Sequence, residues 1–186
     1  MHRRPLYRLL DRYERQWPDE RSLVERFRAF CGAHEDCLLR TCAEGHVTAS
    51  AWILDDDGGQ ALLTHHKKLG KWLQLGGHVD GEREVHLASL REAREESGMS
   101  EFVFVPWSDE VLTPLDLDVH EIPARAAEPA HLHWDFRFLL RAAPDQDLVI
   151  SEESTDLAWA PAATLAGFTD EESVLRIARK AQQVTA

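Results

Sequence analysis

From Arg91 to Met99 the chain reads Arg-Glu-Ala-Arg-Glu-Glu-Ser-Gly-Met, with three carboxylates, Glu92, Glu95 and Glu96, at spacings of three and four. On a helix such residues share one face. Like charges held that closely repel by roughly a few tenths of a kcal/mol per pair. A helix that keeps them is most simply explained by a bound cation. An all-oxygen set, with no Cys or His in it, selects a hard ion such as Mg²⁺ or Mn²⁺. Taken alone, the three glutamates read more simply as a solvated helix face.

The periodicity around this segment places it in a mixed α/β chain. Leu6, Leu9, Leu10, Tyr13 and Trp17 predict an amphipathic helix over 6–17. Pro18-Asp19 breaks it. A second helix is expected over 20–31, stopped at Gly32. These two form an N-terminal helical extension, residues 1–33, ahead of a main domain over 34–186. Val47, Ala49, Ala51 and Ile53 alternate with Thr48, Ser50, Trp52 and Leu54, which reads as a strand. Asp55 to Gly59 is a turn and Gln60 to His66 the second arm of a hairpin. Lys67 to Gly70 is a basic loop, and Trp72 to Leu75 leads into Gly76-Gly77. A helix is expected over 83–97, closed by Gly98. Strands follow at 102–105 and around Leu115, Leu117 and Val119, then a loop over 121–130. The clearest strand is 131–141, with Leu132, Trp134, Phe136, Phe138 and Leu140 on one face and His131, His133, Asp135 and Arg137 on the other. A last strand covers 157–160 and a helix 171–184. Strands in the middle with helices among and after them suggest a mixed sheet covered by helices.

The balance of 33 acidic against 21 basic residues, a net charge of −12, argues against general nucleic-acid or membrane-surface binding. Anionic substrates are compatible with it only through a bridging metal or a local basic patch. The apolar runs are far too short to span a bilayer, and no apolar segment follows Met1-His2-Arg3-Arg4, so the expected location is cytoplasmic. Cys31, Cys37 and Cys42 are odd in number and form no C-x-x-C, which disfavours a disulfide framework. His34 and His46 lie nearby, but no standard zinc-finger spacing results. Buried thiols are the better reading.

Gly77 through Met99 resembles the Nudix box, G-x5-E-x7-R-E-U-x-E-E-x-G-U with U aliphatic. Gly77, Arg91, Glu92, Ala93, Glu95, Glu96, Gly98 and Met99 fall in place. Where the family has its first glutamate this chain has Arg83, flanked by Glu82 and Glu84. The longer run Gly76-Gly77-His78-Val79-Asp80-Gly81 is similar to a bacterial Nudix subgroup with a G-G-H-x-D-G loop. The resemblance covers residues 46–161. It implies a Nudix-type α/β/α sandwich with a mixed β-sheet, here carrying the N-terminal helical extension. It also implies divalent-metal-dependent cleavage of a diphosphate in a nucleoside diphosphate derivative. Such attack is slow unless a metal neutralises the phosphoryl oxygens and acidifies a bound water, which a carboxylate then orients or deprotonates. By resemblance Glu92, Glu95, Glu96 and the Gly76 carbonyl are metal ligands, Glu92 being a ligand or the base. Arg91 steadies the carboxylates. Glu153, shortly before the strand with Trp159, is the extra loop carboxylate, with Glu152 and Asp135 as alternatives.

Substrate contacts are expected from Lys71, His131, His133 and Asp135. For His131, His133 and Asp135 the competing reading is a polar strand face under a loop or helix, with metal ligation weaker than pocket lining. For Lys67, Lys68 and Lys71 it is solvated loop charge, and for Trp72 a core position. The alternative function is a catalytically silent Nudix-fold nucleotide sensor, against which the intact glutamate set argues. Nudix isomerases need Cys and Glu positions this sequence does not show. The expected partner is a small-molecule diphosphate substrate, and the family commonly forms homodimers.

Overall fold

A computed structural model describes residues 3–110, 112–124 and 129–185. Its centre is a ten-residue strand, β1 (Gly45–Leu54), every residue of which is buried. Its two faces differ in chemistry, as the alternation predicts. Along one edge β1 runs parallel to β7 (His131–Ala142), from Gly45 opposite Leu132 to Leu54 opposite Arg141. Along the other it pairs antiparallel with β4 (Leu75–His78), and its last residue, Leu54, meets Ala61 of β2 (Gln60–His66). Beyond β2 lie β3 (Lys71–Leu73) and β8 (Ser154–Pro161), both antiparallel to it. β5 (Phe102–Phe104) and β6 (Asp116–Ile122) share the outer edge of β7. The sheet is therefore mixed. The strand that the alternation suggested around Leu115 continues to Ile122, while residues 125–128 of the expected loop lie outside the described ones.

Four helices cover the two faces. Val47, Ala49, Trp134, Phe136 and Phe138 form one apolar cluster with Val85 and Ala88 of α3 (Val85–Ser97) and with the N-terminal helices. Those are α1 (Arg4–Gln16) and α2 (Arg21–Ala33), whose Leu6, Leu10 and Phe27 are fully buried in it. Further along the same face Ala51, Ile53 and Leu140 pack on Ala93 and Met99. The opposite face sets Trp52, Leu54 and Leu139 against Val174, Ile177 and Ala178 of α4 (Glu172–Thr185). This is the expected α/β/α sandwich with helices at its N-terminus.

Boundaries shift by a few residues. Gly32 does not stop α2; it is helical, and Ala33 ends the helix. α3 begins at Val85 rather than at 83, because Glu82 first turns back to accept a hydrogen bond from the Glu84 amide at 3.0 Å. Gly98 does close α3, with φ of 75° and its amide on the Arg94 carbonyl at 2.9 Å. A Cβ there would also lie 2.5 Å from that of Val149. Cys31, Cys37 and Cys42 are buried free thiols. Trp72 packs against the core beside Phe168. No helix among the described residues is long and apolar enough to cross a membrane.

Beyond its apolar end at Trp52, Leu54 and Leu139, the α4 side of the sheet is polar and buried. Arg137, 1% exposed, reaches Asp135 at 2.9 Å, Asp116 at 3.2 Å and Asp118 at 3.0 Å. Arg176 and Lys180 come down from α4 to Asp116, each at 2.8 Å. Lys180 also meets Tyr13 of α1 at 2.6 Å. An isolated charge buried this way costs several kcal/mol; here every carboxylate of the set faces a cation.

Candidate functional site

α3 lies across β4, and the glutamates of its sheet-facing side meet the glycine pair. Gly77 has no side chain to oppose them. A Cβ there would sit 2.6 Å from Glu92 Oε2, so glycine is what lets this carboxylate rest on the strand. One turn on, Glu96 accepts the Gly76 amide at 2.8 Å and is 7% exposed. Glu95 stays at the solvent edge. Arg91 binds the group together: its guanidinium lies 2.9 Å from Glu92 and 3.4 Å from Glu95, and donates to the His78 carbonyl at 2.7 Å. It thus ties the helix to the end of the strand that carries the glycines. Glu82 and Glu84 take no part in this. Glu84 faces His86 at 3.8 Å, and Arg83 is exposed.

The electrostatics follow from crowding. Burial pushes the Glu92 carboxyl up to about 7; Glu95, Glu153 and Asp80 push the same way and Arg91 opposes them. Burial pushes Glu96 up to about 8, with Glu92, Glu153 and Glu95 adding to it against the pull of the Gly76 amide. Both carboxylates therefore sense Glu153, which stands exposed in the turn before β8 with its carbonyl accepting the Lys67 amide at 2.9 Å. The fold thus collects Glu92, Glu95, Glu96 and Glu153 from α3 and the β8 turn around Gly76-Gly77. One cationic side chain, Arg91, is ion-paired with this set, and it touches only two of its members. Clustered oxygen donors, with Glu96 buried, Glu92 half-buried and both raised by burial and mutual repulsion, are what a hard divalent ion reverses on binding. The residues present fit such an ion.

Of the four expected substrate contacts, Asp135 is taken into the interior. Lys71, on β3, is ion-paired with Glu171 ahead of α4. Asp135 is 1% exposed and accepts from Thr48 at 3.0 Å, Ser50 at 2.7 Å and Arg137 at 2.9 Å, so its oxygens serve the interior. His131 and His133 lie at the β1–β7 end of the sheet in a group of rings with His46, His78 and His120. That group was not read from sequence as a unit. The available signal was His46 in the same period-two register as Thr48 and Ser50.

A family profile described as the NUDIX domain matches residues 45–179. Among solved structures the chain resembles a NUDIX-family hydrolase from Clostridium perfringens, at 23% identity over 74% of this chain and 97% of that one, with a TM-score of 0.59. It also resembles a C. elegans Ap4A hydrolase, at 17% identity over 72% and 93% with a TM-score of 0.56. A third is the E. coli dihydroneopterin triphosphate pyrophosphohydrolase, at 16% identity over 75% and 94% with a TM-score of 0.55. At these identities the likeness is one of fold. No curated protein sequence matches the chain.

Proposed function

Because this chain belongs to the Nudix family, we propose that it is a Mg²⁺- or Mn²⁺-dependent hydrolase of the diphosphate bond in a nucleoside diphosphate derivative. The observation that carries the reading is half-buried Glu92 set against Gly77 and buried Glu96 on the Gly76 amide, with Glu95 and Glu153 close enough to raise both carboxyls. A bound divalent ion supplies charge neutralisation of the phosphoryl oxygens and a more acidic water. Glu92, Glu95, Glu96 and the Gly76 carbonyl are its proposed ligands. Arg91 fixes the helix against the His78 carbonyl, so the carboxylates keep their positions as substrate arrives. Glu153, on a separate loop and still open to solvent, is the proposed proton acceptor for the attacking water, with Glu92 the alternative. The two similar enzymes named for Ap4A and dihydroneopterin triphosphate are, by name, enzymes of phosphoanhydrides, in keeping with this bond class. Residues 1–33 are read as an extension that seals the α3 face of a Nudix domain over 34–186.

The test is a screen of nucleoside diphosphates, nucleotide sugars, dinucleotides and nucleoside triphosphates with Mg²⁺ or Mn²⁺, reading product release. Turnover should fall by orders of magnitude in Glu96→Gln. Activity retained in that variant would sink the ligand assignment, and binding without turnover across the panel would favour a nucleotide sensor.

A further inference from the structure

On the α4 side of the sheet, β1 and β7 bring His46 opposite His133, and β7 adds His131 two residues earlier. One ligand nitrogen from each of these three imidazoles lies within 4.8 Å of the other two. We propose that His46, His131 and His133 form a second metal site, for a borderline transition-metal dication of the Zn²⁺ class, separate from the carboxylate centre and independent of the hydrolase reading.

Three observations converge on it. The first is unmet bonding capacity. His46 is 4% exposed, yet among the described residues neither of its ring nitrogens has a hydrogen-bond partner, and His133 Nε2 is buried and equally unpartnered there. A buried nitrogen left this way has lost its water without regaining a partner, a cost that a metal bond removes. The second is orientation. His131 Nδ1 donates to the Pro129 carbonyl at 2.9 Å, which fixes the proton on Nδ1 and leaves the Nε2 lone pair free for a ligand bond. Metal-bound histidines are commonly held by such an outer hydrogen bond. The third is space. His46 and His131 line a cavity of about 270 Å³ together with Arg40, Thr41, Cys42 and His78. A water takes ~30 Å³, so the cavity has room for an ion and the solvent that completes its shell.

The donor chemistry separates this site from the first. Imidazole nitrogen suits Zn²⁺, Ni²⁺, Co²⁺ and Cu²⁺, whereas carboxylate and carbonyl oxygen suit Mg²⁺ and Mn²⁺. A tetrahedral zinc with Zn–N bonds of ~2.1 Å holds its nitrogens ~3.4 Å apart, so ring rotation of about an ångström closes the set. With three protein ligands the fourth position is left to solvent or to an anion from the cavity.

The experiment uses the full chain, stripped of metal and then saturated with Mg²⁺ to occupy the carboxylates. It is titrated with Co²⁺, whose visible ligand-field bands report nitrogen ligation, and then with Zn²⁺ as competitor. Expected is one equivalent of Co²⁺, displaced by Zn²⁺, bound alike by the wild type and by Glu96→Gln, and bound at least ~10-fold more weakly by His131→Gln. His131 is only half-buried, so that variant keeps its fold. As a second readout on the unaltered protein, the imidazole ¹⁵N resonances of His46, His131 and His133 should move on adding Zn²⁺. Co²⁺ bands that persist in His131→Gln, bands lost in Glu96→Gln instead, or imidazole resonances that ignore Zn²⁺ would each overturn the site.

Discussion

Glu96→Gln should make the metal-free protein more stable while removing its activity. In the folded chain this carboxyl, 7% exposed, is pushed up to about 8 by burial and by Glu92, Glu153 and Glu95. In the unfolded chain it titrates near its ordinary value of 4.5. Between those two values the folded state holds a proton that the unfolded state has lost, so stability falls as pH rises across that window. Each pH unit of that window is worth ~1.4 kcal/mol, which sets a ceiling of roughly 5 kcal/mol at pH 8. Structural relaxation and water entry bring the working figure to on the order of 2 kcal/mol. Gln has the same shape, its carbonyl still accepts the Gly76 amide, and it carries no charge. For a chain of this length the gain is a Tm increase of about 4–8 °C at pH 8, shrinking toward zero near pH 5. The assay is thermal unfolding with a chelator present, wild type and variant side by side from pH 5 to 8. Added Mg²⁺ should raise the wild-type Tm and leave that of the variant nearly unchanged. A variant no more stable than wild type at pH 8, or a gap of equal size at both ends of the range, would refute the idea that repulsion and burial strain this carboxylate.

Three further outcomes follow from other parts of the fold. Arg137→Met leaves Asp116, Asp118 and Asp135 facing one another without their shared cation, and should cost ~3–5 kcal/mol in denaturant unfolding; a cost under 1 kcal/mol would contradict the network. In acid the sign is opposite to that of Glu96. Burial raises the Asp118 carboxyl, but His120, Arg137 and Arg176 outweigh it and hold it below the usual range, as Arg176, Arg137 and Lys180 hold Asp116. Their contribution is complete above about pH 4 and is lost as pH falls further, which circular dichroism through an acid titration should show as unfolding below that point. Gly77→Ala sets a methyl carbon 2.6 Å from Glu92 Oε2. It should cut turnover by about a hundredfold through ligand misplacement, with Tm close to wild type; unchanged turnover would mean that the close approach of Glu92 to the strand is dispensable.

What could be read from sequence was whatever the chain encodes locally. The glutamates and Arg91 of α3 lie within one and a half turns, so helical spacing alone groups them. β1, β6 and β7 announce themselves by alternation. Glu153 was reached only through family resemblance, since nothing near it in sequence points to α3. The rest depends on register between distant strands. His46, His78, His120 and His133 come from four strands, and only the pairings of β1 with β4 and β7, and of β7 with β6, bring them together. Lys71 looked like a phosphate contact because its partner, Glu171, is 100 residues away. Asp135 looked accessible because a polar strand face reads the same whether water or Arg137 covers it.

The parallel pairing of β1 with β7 has a consequence for how the chain acquires its shape. Thr48 and Asp135, joined across it, are 87 residues apart in sequence. Loop closure on that scale must be met before the contacts that reward it, which makes folding slow. During synthesis, β1 and the helix with the glutamates emerge well before β7 does. Until residue 142 has left the ribosome, the central strand has one open edge. Variants that weaken β7, rather than those in the carboxylate helix, should therefore be the ones that aggregate on expression.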